Sequence, residues 1–300
     1  MLKIAWSEIY AHPLPEGHRF PMEKYNLLPE QLLYEGTVNQ EHFFQPKPLD
    51  DAEILLTHHA AYLNKLRTKS LSYKEIRATG FPLSDELVER EITIMQGTVQ
   101  AAKFALEYGV AMNIAGGTHH AFADRGEGFC LLNDLAIAAN LLIKENLAKR
   151  ILIVDLDVHQ GNGTAALFKG REDVFTLSMH GAGNYPLHKE KSHLDIPLPD
   201  RIDDKAYLKL LDHHLKNVID AFQPDFVLFQ SGVDVLATDK LGKLGLSLEG
   251  CRQRDKLVLE TAFKNKIPLT AAMGGGYSER ISDIVEAHAN TFRLAQEIFF

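Results

Sequence analysis

Cysteine is scarce in this 300-residue chain, which has only Cys130 and Cys251. Two thiols do not make a disulfide framework, so the fold must rest on its core, and a reducing compartment is the simpler expectation. Basic charge is also short. There are 32 Lys and Arg against 40 Asp and Glu, a net charge of −8, which argues against nucleic-acid binding driven by phosphate contacts. No apolar run approaches the ~18 residues of a membrane span. The stretch MLKIAWSEIYAHPLP has no signal-peptide core, so a cytoplasmic location is expected, with neither nucleic acid nor membrane as partner. The 21 Gly and 12 Pro follow no period, which argues against collagen-like or mucin-like chains. No Ser/Gly-rich linker or repeat interrupts the sequence, so one domain over 1–300 is expected.

What is present is an alternation of short apolar runs and longer helical patterns. Residues 110–115 (VAMNIA), 151–155 (ILIVD), 174–178 (VFTLS), 225–230 (DFVLFQ) and 268–273 (PLTAAM) read as buried strands. Their near-continuous apolar character suits a parallel sheet covered on both faces. Helical patterns fall at 85–108, 132–146, 203–222, 249–264 and 278–299, the first opening after a capping Ser84. The expected fold is α/β, a three-layer α/β/α sandwich with a mainly parallel central sheet.

Ligands of such sheets sit outside the carboxyl ends of the strands. Each strand here is followed by polar or Gly-rich sequence: GGTHHAFADRGEGFC, DLDVHQGNG, SMHGAGNYP, SGVD and GGGY. In DLDVH, residues at i, i+2 and i+4 of an extended chain share a side, so Asp155, Asp157 and His159 face one way. Carboxylate oxygen and imidazole nitrogen suit Zn²⁺ or Fe²⁺. A helix-entry turn at Gly161 and Gly163, capped by the Asp residues beside a solvated His, is the alternative. Asp234 is a candidate third ligand, and a set of three leaves open positions as catalytic sites do.

His119 and His120 are candidate acid–base groups. Two other pairs, His58-His59 and His213-His214, lie in helical patterns without carboxylates nearby and read as surface or half-buried helix histidines. Tyr277 follows three glycines that let backbone crowd a site, and its hydroxyl can donate to an oxyanion. Phe129 and Tyr185 suit either the walls of a narrow tunnel or ordinary core.

Taken together, GGTHHAFADRGEGFCLLND, VDLDVHQGNGT, SGVD and MGGGY resemble the histone deacetylase superfamily, over Trp6 to Arg293. The segments DRGEGFC and YPLHKEKSHLDIPLPD are most similar to its class IV and related bacterial branch. The resemblance implies an arginase/deacetylase-like fold and removal of an acetyl or other acyl group from the ε-amine of lysine. It implies one Zn²⁺, or Fe²⁺, on Asp157, His159 and Asp234. Asp155 would bond His119, Asn162 would orient His120, His120 would move the proton, and Tyr277 would polarise the acyl carbonyl. Gly128, Phe129, Tyr185, Leu241 and Gly275 would line the tunnel, and Arg19 an internal acetate channel. A structural K⁺ would use Asp155, Asp157, His159, Ser178 and Met179.

Two positions depart from the class I pattern. Asn162 stands where those enzymes have Asp, and Gly80 stands where they carry an acidic rim residue. Acetylated polyamines or other small amides are therefore an alternative substrate class. An arginase-like two-metal site is disfavoured because Gly161 occupies the place of its further Asp. A catalytically silent acyl-lysine binder would have lost a ligand, His or Tyr, and none is lost.

Overall fold

The computed structural model describes residues 1–300. Its strands are β1 (Lys3–Ala5), β2 (Phe43–Phe44), β3 (Val110–Asn113), β4 (Ile151–Asp155), β5 (Val174–Gly181), β6 (Leu194–Leu198), β7 (Phe226–Gln230) and β8 (Leu269–Ala272). They form one sheet in the order β2-β1-β3-β8-β7-β4-β5-β6. Every neighbouring pair is parallel. The helices are α1 (Lys24–Tyr34), α2 (Asp51–Ile54), α3 (Ala60–Arg67), α4 (Tyr73–Thr79), α5 (Asp85–Tyr108), α6 (Asp134–Lys144), α7 (Asn162–Leu167), α8 (Asp204–Phe222), α9 (Leu248–Asn265) and α10 (Ile281–Phe299). Helix α5 packs on β1, β3 and β8 and against α6, while α1, α10, α9 and α8 pack side by side in that order as a second layer. The result is the three-layer α/β/α arrangement. No helix is long and apolar enough to cross a membrane.

Strands β3, β4, β7 and β8 are buried at every residue, as their apolar composition requires when helices cover both faces. Parallel neighbours align all their carboxyl ends on one edge, and the loops leaving β3, β4, β5, β7 and β8 gather there.

Boundaries moved where side chains intervene. Strand β3 stops at Asn113, two residues early, because Asn113 Oδ1 accepts the Ala115 N–H at 3.2 Å and turns the chain. Strand β5 runs on to Gly181 because β6 pairs along Leu177–Gly181. Strands β1, β2 and β6 and helices α1, α2 and α4 lie outside the elements read from the sequence, while α3 follows the helical pattern around His58-His59 and α7 the helix-entry turn at Gly161 and Gly163.

His58 is a correction. It is buried in the segment between α2 and α3, not on a helix face. Its Nδ1 lies 2.9 Å from the Phe122 carbonyl, and its Nε2 accepts the Asn133 N–H at 3.0 Å. It thus ties the loop after β3 to the start of α6. His59 is exposed; His213 and His214 lie on the outer part of α8, exposed and half-buried respectively.

Candidate active site

Leaving β4, the chain caps itself. Asp155 Oδ1 accepts the Asp157 N–H at 3.2 Å and Asp157 Oδ1 accepts the His159 N–H at 3.0 Å, the turn habit of Asp two residues ahead of a free N–H. These turns carry Asp157 and His159 over the sheet edge. From β7, Asp234 meets them: His159 Nδ1 is 3.0 Å from Asp157 Oδ1 and 3.1 Å from Asp234 Oδ2. One donor atom from each of the three residues lies within 4.8 Å of the others. The two aspartates are buried and His159 is partly exposed toward the cavity.

The electrostatics of this trio fit a cation. Burial, then repulsion from Asp157, pushes the Asp234 carboxyl up to about 7. Burial alone would lower His159, but its bonds to Asp157 and Asp234 raise it to about 10. Two carboxylates this close in low dielectric need positive charge between them. Two oxygen donors and one imidazole suit a single divalent ion with open positions. The helix-entry-turn alternative is partly realised too, since α7 begins at Asn162, but it does not account for Asp234.

The Gly-rich loop after β3 brings His119 and His120 to the same place, with ring centroids 4.1 Å apart. His119 Nδ1 is 2.7 Å from Asp155 Oδ2, and His120 Nδ1 is 2.6 Å from Asn162 Oδ1. Burial opposes charge on His119, but Asp155 and Asp157 raise it to about 9. Burial, then the charges of His119 and His159, hold His120 well below its ordinary value. One imidazole of the pair is therefore biased to be charged and the other neutral.

The three glycines after β8 approach the carboxylates closely. Gly275 N–H donates to Asp157 Oδ2 at 2.9 Å, and a Cβ on Gly275 would overlap Asp234 Oδ2. Tyr277 then stands over the site; burial and the charges of Asp234 and Asp157 push its phenol well upward, which keeps it a donor.

A cavity of about 350 Å³ runs through these groups, lined among others by Gly128, Phe129, Tyr185, Leu241 and Gly275. Phe129 has φ +66° and is held by its N–H to the Thr79 carbonyl at 2.8 Å. Its ring packs among Phe20, Phe81 and Tyr277 at 5.2–5.9 Å. Phe129 thus lines the cavity and also packs against the core.

Arg19, expected at an internal acetate channel, lines this cavity beside Phe20; its side chain is exposed and its guanidinium lies 5.1 Å from the Phe129 ring centroid. The buried cations beside the cavity are Arg90, bonded to the Tyr10 carbonyl and paired with Glu91, and Lys24, which donates to the Gly274 carbonyl at 3.1 Å. Burial lowers Lys24 to about 8. Of the residues implied for K⁺, Ser178 is the register partner of Asp155, but its Oγ lies 2.9 Å from His180 Nδ1; Met179 is buried beside it. Gly80, at the class I rim position, caps α4 at φ +78° and offers only its carbonyl, to His18 Nε2 at 2.9 Å.

Sequence reasoning missed several supporting residues. Asp134 accepts from the N–H groups of Gly117 and Thr118 and so shapes the approach to His119; its signal was an acidic residue in the first turn of a helix. Asp239 accepts from the N–H groups of Leu241, Gly242 and Tyr277; its signal was an Asp shortly before a glycine. Glu127 bonds Tyr185 and Asn162, and nothing in the sequence around Lys24 marks it as buried beside the site.

Comparison with known proteins agrees with this geometry. The model of the histone deacetylase domain matches residues 18–292. An uncharacterized protein of Picosynechococcus is 44% identical over 99% of both chains. Histone deacetylase 2 of Arabidopsis thaliana is 30% identical, covering 89% of this chain and 72% of its own. The crystal structure of an HDAC homolog complexed with SAHA superposes with a TM-score of 0.84 at 27% identity, over 99% of this chain and 84% of that one. The chain belongs to the histone deacetylase family and is a deacetylase, a hydrolase of amide bonds.

Proposed function

We propose that the chain removes an acetyl or other acyl group from the ε-amine of lysine in a protein or peptide, with Zn²⁺, or Fe²⁺, held by Asp157, His159 and Asp234. The convergence of that trio at the base of a tunnel, beside two histidines and a tyrosine, carries the reading. Such an ion supplies Lewis acidity that lowers the pKa of water and polarises a carbonyl. Phe129 and Tyr185 hold the aliphatic stem and exclude water around the amide. His120, kept neutral, takes the proton of the attacking water at Nε2 and returns it to the amine leaving group. His119, bonded to Asp155, contributes positive charge alongside. Tyr277 donates its hydroxyl to the oxyanion, a contact typically worth ~3–4 kcal/mol in a dry site. K⁺ on Asp155, Asp157, His159, Ser178 and Met179 is part of the same reading, as is a cytoplasmic location.

The rim supports a protein or peptide substrate over a closed small-molecule pocket. Tyr185 is 41% exposed at the mouth. The mouth also continues into a second groove between residues 11–26 and Tyr277. The test is metal content of the purified chain together with turnover of acyl-lysine peptides, acetyl to myristoyl, beside acetylated polyamines. One Zn²⁺ or Fe²⁺ per chain with peptide turnover supports the proposal. Acetylspermidine far ahead of every peptide overturns the substrate class, and a metal count above one reopens the two-metal reading.

A further inference from the structure

We propose that Glu127 is a positioning residue that decides which ring nitrogen of His120 carries the proton, acting through the side chain of Asn162. The inference rests on the reading of His120 as the base. Three contacts define the relay. His120 Nδ1 lies 2.6 Å from Asn162 Oδ1, and Asn162 Nδ2 donates to Glu127 Oε2 at 3.4 Å. The same Oε2 accepts the Tyr185 hydroxyl at 2.7 Å, and Oε1 accepts Arg125 Nε at 2.8 Å. Glu127 is thus clamped from two other sides with one oxygen turned to Asn162.

A carboxylate beside His120 would need no such help. It has only acceptor atoms, so whichever oxygen faces Nδ1 demands a proton there. An amide is different. Its oxygen and NH₂ ends have nearly the same shape, and neighbours decide which end faces the ring. With Oδ1 toward His120, the proton sits on Nδ1, and Nε2 keeps a lone pair for the reacting water. With the amide reversed, Nδ2 donates to Nδ1, the proton moves to Nε2, and the ring can no longer accept at the site. Reversal would also turn Oδ1 onto the Glu127 carboxylate, acceptor against acceptor. No other acceptor receives Asn162 Nδ2, so Glu127 alone disfavours that state.

Glu127 lies between Gly126 and Gly128, and the backbone of this loop is tied down next to it. Gly128 N–H donates to the Ala78 carbonyl at 2.9 Å and Phe129 N–H to that of Thr79 at 2.8 Å. A Cβ on Gly128 would touch the His120 ring. The loop that walls the tunnel therefore holds both the ring and the group that orients its partner.

The experiment reads the tautomer directly, by proton–nitrogen correlation of His120 in the ¹⁵N-histidine-labelled, zinc-loaded protein, assigned by its loss in His120→Ala. Wild type and Glu127→Gln, whose amide oxygen can still accept from Asn162, should carry the proton on Nδ1. Glu127→Met should carry it on Nε2 or on a mixture of the two. For an acetyl-lysine peptide, Glu127→Met should lose roughly 10–10²-fold in kcat with KM little changed, part of the 10²–10⁴ that a general base supplies. Tyr185→Phe, which removes only the other donor to Oε2, should keep the Nδ1 tautomer. An unchanged tautomer in Glu127→Met overturns the proposal, as does a change in Tyr185→Phe alone. The tautomer is measured without turnover. Its outcome therefore stands apart from whether acyl-lysine is the substrate.

Discussion

The Asp239 carboxylate accepts the main-chain N–H of Tyr277 at 2.6 Å, so the loop after β7 holds the residue that follows β8. Its other oxygen accepts the N–H groups of Leu241 and Gly242, both at 2.8 Å. One carboxylate thereby sets the position of Tyr277 and of the tunnel wall at Leu241. Asp239→Asn leaves one acceptor oxygen and turns an NH₂ against an N–H, a mismatch of about 1–3 kcal/mol when sheltered from water. We expect kcat to fall about tenfold. Tyr277→Phe should lose about 10²–10³ in kcat. Metal content should be retained in both variants. Wild-type kcat in Tyr277→Phe would remove the oxyanion role.

Metal removal should register in stability as well as in rate. A ligand that binds only the folded state at a hundredfold its Kd adds about 2.7 kcal/mol. Chelation should therefore lower Tm by several degrees. Asp157→Ala, His159→Ala and Asp234→Ala should lack both metal and activity, and their melting should no longer respond to chelator. A chelator response preserved in Asp234→Ala would place the ion elsewhere.

Much of the site was legible because strand ends in a parallel sheet are legible. The run ILIVD reads as a strand bounded by its own first polar residue. The polar residues after it can then only lie at the carboxyl edge. Three strands were not legible: β1 is three residues long, β2 two, and β6 carries Pro197 and alternates weakly. His58 escaped because a histidine in LLTHHAAYL looks helical by period. Tertiary bonds to Phe122 and Asn133, distant in sequence, decide its place. Asp239 and Glu127 act through backbone and through Asn162, contacts that residue spacing does not encode.

The burial of His58 makes a prediction about acid stability. Burial pushes its pKa from 6.5 down to about 4. Between those values the unfolded chain binds a proton that the folded chain does not, so stability rises with pH across that window. The contribution is fully present above about 6.5 and is lost as pH falls toward 4, to a total of about 3 kcal/mol. His58→Gln removes the titrating group. Its unfolding free energy, from urea melts between pH 4.5 and 7, should fall less steeply with acid than that of wild type. Parallel slopes would mean that the folded His58 takes up its proton as readily as the unfolded one.

Gly275 offers a way to disturb the proposed metal ligands without touching them. Its backbone does not lie in the left-handed region, so an alanine there carries no intrinsic strain and the effect must be steric. The added Cβ would overlap Asp234 Oδ2 and crowd Asp157 Oδ2. Overpacking typically costs about 1–3 kcal/mol, and here it falls on two of the three proposed ligands. In Gly275→Ala the metal Kd should therefore rise roughly 10–10²-fold. Competition with a chromophoric chelator measures this directly. Melting of the metal-free protein should change less than that of the loaded protein, because without the ion the two carboxylates can swing away from the new methyl. A Kd equal to wild type would show that the loop after β8 yields instead of the ligands, and that the glycine serves the path of the backbone rather than access to the ion.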